Sequence, residues 1–451
     1  MVLDSIKEWV IILSILLVIF FINLGLEYSH YIHYYQSYKE PKEIYGQVIA
    51  QYTKVSPKNI SYEVLKIQTQ DGANIYTTSK EHIKDLSHAF IRLWGKSAKC
   101  DFVQYLRSCY FLSFSLSVDS KKDYRAYLRE FIASQHTNVL MGELYKTLYI
   151  ADFLQKPLRD VANTLGIAHV IAISGFHLGI LSLGFGFLLH FLYKKIHRFF
   201  PYRNRFYDVG AIIIALLFGY LVILDFSASF LRAWVMAFVG FFLAFMGAKI
   251  MQFRFLMLIG LICIAFFPRL LFSVGFFLSF FGVFYIYLFV RYFKVLDYAQ
   301  KDFMPAKNKE SWRSVMNMCL SNFWGHKFYI FVLLPLFFNT VIFTNMLILV
   351  HFFFPYFSVY MIASIPIAIG FTLFFPASIV AHCFNFGNVF DNFLIWLFSL
   401  DLGSVEVFSS PLIFFAYLIL SILAVRLRVA YFALNGVGIL FLVWLYYNAL
   451  S

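Results

Sequence analysis

The sequence predicts a polytopic α-helical membrane protein with a small periplasmic β-rich, OB-like domain near its N-terminus. Of 451 residues, 61% are hydrophobic, only 14% are charged and 58 are Phe. That composition lies outside the range of soluble globular domains. Apolar stretches of the roughly 20 residues that a spanning helix needs recur from Gly166 onward. Residues 44–118 break the pattern with short runs rich in Tyr, Val, Thr, Lys and Gln.

The first apolar run, Trp9 to Leu26, lacks a small-residue cleavage site and follows a single Lys. It reads as a retained helix, a transmembrane segment within 1–28, and not as a signal peptide. Candidate strands follow at Ile44 to Val55, Tyr62 to Gln70, Asn74 to Ser79, Phe90 to Trp94 and Cys109 to Val118, with a tight turn at Asp71-Gly72. Five short strands with one helical insertion, Lys80 to Ser87, fit a small OB-type barrel over residues 40–120. Residues 121–165 read as an amphipathic helical linker outside or along the bilayer, charged at Lys121, Lys122, Arg125, Arg129 and Glu130. Apolar runs between residues 166 and 448 then supply about nine further spans.

Thirty-seven Lys and Arg against 24 Asp and Glu leave a formal charge of +13. Cytoplasmic loops of membrane proteins concentrate cations, so the excess is first a topology signal. Lys194, Lys195, Arg198, Arg203 and Arg205 mark one cytoplasmic loop. By alternation Lys249, Arg254 and the loop from Arg291 to Lys327 join it, which puts the N-terminus in the cytoplasm and the β-rich domain in the periplasm. His382 to Ser410 carries Asp391, Asp401 and Glu406 without a cation, and so belongs outside. An odd number of crossings is then needed in a stretch that divides most easily into two spans. Pro335, Pro355, Pro366 and Pro376 punctuate it, and broken or re-entrant helices are expected in 328–381. Cys100 and Cys109 lie close together in the periplasmic segment, where a disulfide and an unpaired buried state are both compatible with the sequence.

Polar residues inside apolar runs are costly and mark function or packing. The most unusual such stretch is Gly166-Ile-Ala-His169-Val-Ile-Ala-Ile-Ser174-Gly175-Phe-His177-Leu-Gly179. Spacings of eight and three residues would bring His169, Ser174 and His177 to one side of a helix, and Ser174-Gly175 offers a kink or a close backbone approach. Arg232, at the entry of a later span, either snorkels to an interface or faces a polar interior. Ser279, in Phe276-Phe-Leu-Ser279-Phe-Phe-Gly282, reads as a helix-packing residue or as part of the same polar path.

At these residues the chain resembles the ComEC competence-protein family of inner-membrane DNA channels. His169 to Gly179 resembles the family's central signature. Leu231-Arg232-Ala233 with Met236 resembles its arginine-alanine motif, and Pro268 through Gly275-Phe-Phe-Leu-Ser-Phe280 its third motif. The resemblance implies an N-terminal membrane helix, an OB-like periplasmic domain and a channel that passes single-stranded DNA during natural transformation. It also implies a periplasmic DNA receptor and a cytoplasmic motor or single-strand-binding protein as partners, with oligomeric state left open. No phosphate-binding Gly-x-x-x-x-Gly-Lys loop occurs, so the motor is expected to be a separate protein. Many relatives carry a C-terminal metallo-β-lactamase-like nuclease. No clustered His-x-His-x-Asp-His pattern occurs here, and neither nuclease activity, metal nor cofactor is expected. Phe277 stands where many relatives have glutamine, and the proline common before the Arg-Ala pair is absent.

Within that expectation Arg232 is the first candidate for a phosphate contact, with His169, Ser174, Gly175, His177 and Ser279 along the same path. Tyr52, Lys54 and Lys58 are candidates for DNA contact on the β-rich domain. Two readings of other classes compete. Ala-x-Ser174-Gly beside histidines resembles the serine motif of rhomboid proteases, an intramembrane hydrolase in which His351 or His382 would serve as base. A small-solute transporter with its site at broken helices is the other.

Overall fold

The structure, a computed structural model, describes residues 6–56, 59, 61–79, 86–119, 123–196, 202, 204–245, 253–293, 332–400 and 402–450. Lys58, Lys121, Lys122, Arg198, Arg203, Lys249, Cys319 and Asp401 fall outside them, as do residues 80–85 of the expected helical insertion and most of the loop from Arg291 to Lys327.

Helix α1 (Ile6–Lys39) is continuous over 34 residues and runs past the boundary at 28 that the sequence suggested. After Leu26 its apolar residues give way to tyrosines, and these find partners on the β-rich domain. Tyr31 donates to the Cys100 carbonyl at 3.0 Å, and Tyr34 to that of Tyr110 at 3.2 Å. One helix therefore belongs to both the apolar bundle and the wall of the barrel.

Strands β1 (Lys42–Val55), β2 (Ser61–Thr69), β3 (Asn74–Ser79), β4 (Phe90–Ser97) and β5 (Cys109–Val118) close a barrel in the order β1-β2-β3-β5-β4. All pairs are antiparallel except β3 with β5. Alternation places Val48, Leu65, Ile67, Ile75, Leu93 and Phe111 inside. Gly72 adopts φ +73° in the Asp71-Gly72 turn, as a tight hairpin requires. Opposite Trp94 and Gly95 a bulge leaves Phe114 as the extra residue on β5 and bends that strand around the closing seam. The single-turn helix α2 (Phe102–Tyr105) lies between β4 and β5, started by a capping box of Asp101 and Gln104. Cys100 and Cys109 flank it as a disulfide, with Cα atoms 6.1 Å apart.

Helices α3 (Ala126–Ala133), α4 (Val139–Ile150) and α5 (Lys156–Thr164) form the linker. Contrary to a segment lying free along a bilayer, it buries Ile132, Leu144, Tyr145 and Leu158 in one core with Phe371, Phe375 and Leu394. Its apolar residues are too continuous to be served by an interfacial position alone.

The bundle comprises α6 (Ala168–Ile171), α7 (Gly175–Ile196), α8 (Arg205–Ile223), α9 (Ala228–Phe245), α10 (Phe253–Phe266), α11 (Val274–Phe293), α12 (Leu334–Phe353), α13 (Ser364–Cys383), α14 (Asp391–Phe398), α15 (Pro411–Ala424) and α16 (Arg428–Leu450). Among the described residues seven helical segments are long and apolar enough to cross a membrane, and three shorter apolar helices accompany them.

Within 328–381 the described helices α12 and α13 are each continuous over 20 residues, and the irregular stretch lies between them, over 354–363. Pro335 sits in the first turn of α12, Pro355 in the connection and Pro366 at the third position of α13, where no helical hydrogen bond is lost. Only Pro376 is interior, and the helix carries through it. Another irregular path comes afterwards. Following the eight-residue α14, the chain returns to pair β7 (Val405–Glu406) with β6 (Tyr356–Phe357) in the connection between α12 and α13. Ser358 Oγ donates to the Gly403 carbonyl at 2.9 Å and seals the return.

Candidate functional site

The segment 166–179 is not one helix, so His169 and His177 do not share a helical face. Gly166 takes φ +68°, α6 is a single turn, and Ala172 is extended before α7 starts at Gly175. Local chemistry explains the break. Ser174 Oγ accepts from the backbone N–H of Phe176 at 3.3 Å, while the N–H of Ser174 donates to His177 Nδ1 at 3.2 Å. This is a reciprocal cap with histidine in the place usually taken by Glu or Gln. It leaves His177 Nδ1 as an acceptor and puts the ring proton on Nε2. That atom is buried without a partner, and the ring meets Phe371 and Phe375 edge-on at 5.4 and 4.6 Å. His169 is exposed, although protein atoms surround it on most sides.

Three separated segments meet at this cap. A Cβ on Gly175 would stand 3.3 Å from that of Ala233, so the start of α7 packs closely on α9 beside Arg232. The Arg232 guanidinium donates to Ser279 Oγ and approaches the carbonyls of Phe276 (3.5 Å) and Ser229 (3.4 Å). It also lies 5.7 Å from the centre of the Phe276 ring. Arg232 is 2% exposed, its Nε has no partner, and among the described residues no carboxylate pairs with it. A buried charge held only by dipoles is costly. Snorkelling does not describe it. Gly175→Val, which would wedge the α7–α9 contact, is expected to lower stability by about 1–3 kcal/mol and reduce function with it. Thermal unfolding in detergent checks the first part.

Beside this cluster lies a cavity of about 1240 Å³ between barrel and bundle. Gln47, Lys66 and Gln68 line it from the barrel. Ser227, Leu231, Phe277 and Phe353 line it from the bundle. The rest of the wall carries further phenylalanines, the cations Arg107, Arg125 and Arg269, and the carboxylates Glu27, Asp71, Asp152 and Asp225; the Arg107 guanidinium lies 5.0 Å from the centre of the Phe272 ring. Burial lowers the Lys66 ammonium pKa below its usual value. Lys54 lies 5.8 Å from the Tyr52 ring on the far part of β1, and neither lines this cavity.

An ion cluster fixes the barrel over the bundle. Arg129 grips Asp152 through two bonds of 2.6 and 2.8 Å and reaches Asp123 at 2.7 Å. From the barrel, Gln47 donates to Asp123 at 2.9 Å and His88 lies 3.4 Å from Asp152. Arg125 extends the cluster to Asp123 and, at 3.9 Å, to Asp225 in the α8–α9 turn.

A second buried network was not legible in the sequence. His136 Nδ1 faces both oxygens of Asp391 at 2.9 and 3.0 Å, and its Nε2 lies 3.0 Å from Nε2 of His382. His382 Nδ1 donates to the Ser378 carbonyl at 2.8 Å. Gln135 adds bonds to the His382 carbonyl and the Gly387 N–H. These groups tie the linker to α13 and α14 from positions some 250 residues apart, so no spacing announces them. The network also engages His382 fully, and His351 is buried against Phe441. Neither histidine is bonded to Ser174.

A family model described as Competence protein matches residues 151–449, a span that includes all three convergent segments. No curated protein and no solved structure matches the chain.

Proposed function

The chain belongs to the ComEC competence-protein family, a family of DNA uptake for transformation, and from that premise we propose that it is the inner-membrane channel for a single DNA strand. The observation that carries the proposal is the buried Arg232, with no carboxylate partner among the described residues, joined to the signature segment by Gly175 and Ala233 and lying beside a large cavity whose wall mixes phenylalanines with both cations and carboxylates. Single-stranded DNA brings about one negative charge per nucleotide, prohibitive in hydrocarbon. A conduit must offer cations for phosphates and aromatic faces for bases, the combination used by sequence-independent single-strand binders.

In this reading the cavity is the periplasmic mouth, roofed by a barrel of OB type. The strand order β1-β2-β3-β5-β4 supports that assignment. The cationic loops support a cytoplasmic N-terminus and the barrel outside. Phosphates pass from the mouth to Arg232, with Ser279 as its resting partner. His169, on its own short turn, does not line the cavity and is left out of this path. A periplasmic receptor would deliver DNA, and a cytoplasmic motor or single-strand-binding protein would draw it inward.

We read the chain as a conduit and not an enzyme. Ser174 serves as a helix cap, and its nearest histidine already accepts the Ser174 N–H. Uptake of labelled DNA into a nuclease-protected compartment separates the readings. Ser174→Ala removes a cap worth about 1 kcal/mol and is expected to reduce uptake several-fold without abolishing it. Complete loss, together with labelling of Ser174 by a fluorophosphonate, would establish a hydrolase instead.

A further inference from the structure

We propose that Phe277 and Phe353 form the permeability barrier at the floor of the mouth, excluding small hydrated ions while admitting nucleobases. The inference rests on the channel reading and names the residues that set what passes.

Both side chains line the cavity, and they come from different helices: Phe277 from the first turn of α11, Phe353 from the last residue of α12. Their rings meet edge-to-face at 5.5 Å. Below them Phe414 closes the triangle, 6.1 Å from Phe277 and 5.9 Å from Phe353, and stacks on Phe352 at 4.0 Å. Phe281 backs Phe277 at 4.7 Å. The floor is therefore an aromatic layer without a hydrogen-bonding side chain.

Arg232 marks what lies beyond that layer. Its neighbour Leu231 faces the cavity, and its guanidinium reaches the carbonyl of Phe276, the residue before Phe277. The charge itself is buried and lacks a counter-ion. A cation kept dry behind this layer describes a closed state whose counter-ion arrives when the layer parts. Because Phe277 and Phe353 stand at helix ends, side-chain rotation can part them without displacing α11 or α12. A hydrated ion gains nothing from such a layer and meets a dewetting barrier. A base can exchange ring–ring contacts for stacking on the same rings.

The test uses the full chain in liposomes with an entrapped potassium-sensitive dye and no DNA. The parent is expected to be tight, and Phe277→Ala to raise potassium flux at least tenfold. Phe432→Ala, an exposed ring on α16, controls for loss of an aromatic elsewhere. A second arm holds the packing change constant and varies only the cross-link: Phe277→Cys with Phe353→Cys, oxidised in cells, should block DNA uptake, and reductant should restore it. The parent treated identically controls for Cys100–Cys109. Unchanged flux in Phe277→Ala, or normal uptake by the cross-linked chain, would overturn the barrier. Flux that rises as expected in Phe277→Ala, from a parent that shows no DNA uptake in any assay, would instead sink the cargo assignment and leave the barrier standing.

Discussion

Replacing Arg232 with methionine is expected to cut DNA uptake roughly a hundredfold while leaving the protein as stable as the parent, or more so. The two halves have opposite physical origins. A charge-assisted hydrogen bond contributes up to about 3 kcal/mol, and 1.4 kcal/mol is a factor of ten. A phosphate that loses this buried cation should therefore cross about a hundred times less often. Stability should not follow, because in the resting structure Arg232 has two carbonyls, two serine hydroxyls and one unpartnered N–H, with no carboxylate. Exchanging an uncompensated buried charge for an apolar side chain of similar volume is often neutral or stabilising. Arg232→Lys should fall between, keeping the charge and losing the fork that reaches Ser279 and Phe276 together. Internalised label measures the first half and thermal unfolding in detergent the second. A Met variant that unfolds many degrees earlier would make Arg232 a packing residue and remove the main support for a phosphate path.

What the sequence disclosed follows from the range of each signal. Alternation over five short runs and the Asp71-Gly72 turn are local, and the barrel strands lie where those patterns put them. Hydropathy is local too, and the long apolar helices follow it. His169, Ser174, His177, Arg232 and Ser279 stood out because polar atoms are rare in apolar runs. Yet Ser174 and His177 proved to be a helix cap, and His169 stands on a separate turn, because one extended residue at Ala172 resets the helical phase. Proline counts misled for a similar reason: a proline in the first turn of a helix looks the same in sequence as one that breaks it. The long-range partnerships, Arg129 with Asp152 and His136 with Asp391 and His382, had no local signature. Arg129, His136 and Asp152 taken alone read as ordinary polar residues of an amphipathic linker, and Asp391 as a charge in an outer loop.

Asp152→Asn is expected to loosen the barrel from the bundle and to destabilise the protein by about 3–5 kcal/mol, the range for removing one partner of a buried ion pair. Arg129 would keep its charge, 8% exposed, with Asp123 as the remaining carboxylate partner. Arg129→Met with Asp152→Leu should recover most of the loss, since the double replacement strands no charge. The joint should also respond to acid in two stages. Burial, aided by Arg129 and Arg125 and opposed by Asp152, holds the His88 pKa below its ordinary 6.5. Unfolded chains then bind the proton more readily, so stability begins to fall as pH drops below about 6.5. Asp123 acts lower down. Burial alone would raise its pKa, but the Arg125 N–H and the Arg129 side chain outweigh it and bring the value to about 2. A carboxylate so depressed stabilises the fold above its unfolded pKa and ceases to as pH falls toward 2. Hydrogen exchange in β1 and α3 across this range would follow both stages. Equal protection in the parent and in Asp152→Asn would show that the barrel is held by α1 and the α1–barrel tyrosines instead, and the mouth would then be a looser assembly than the ion cluster implies.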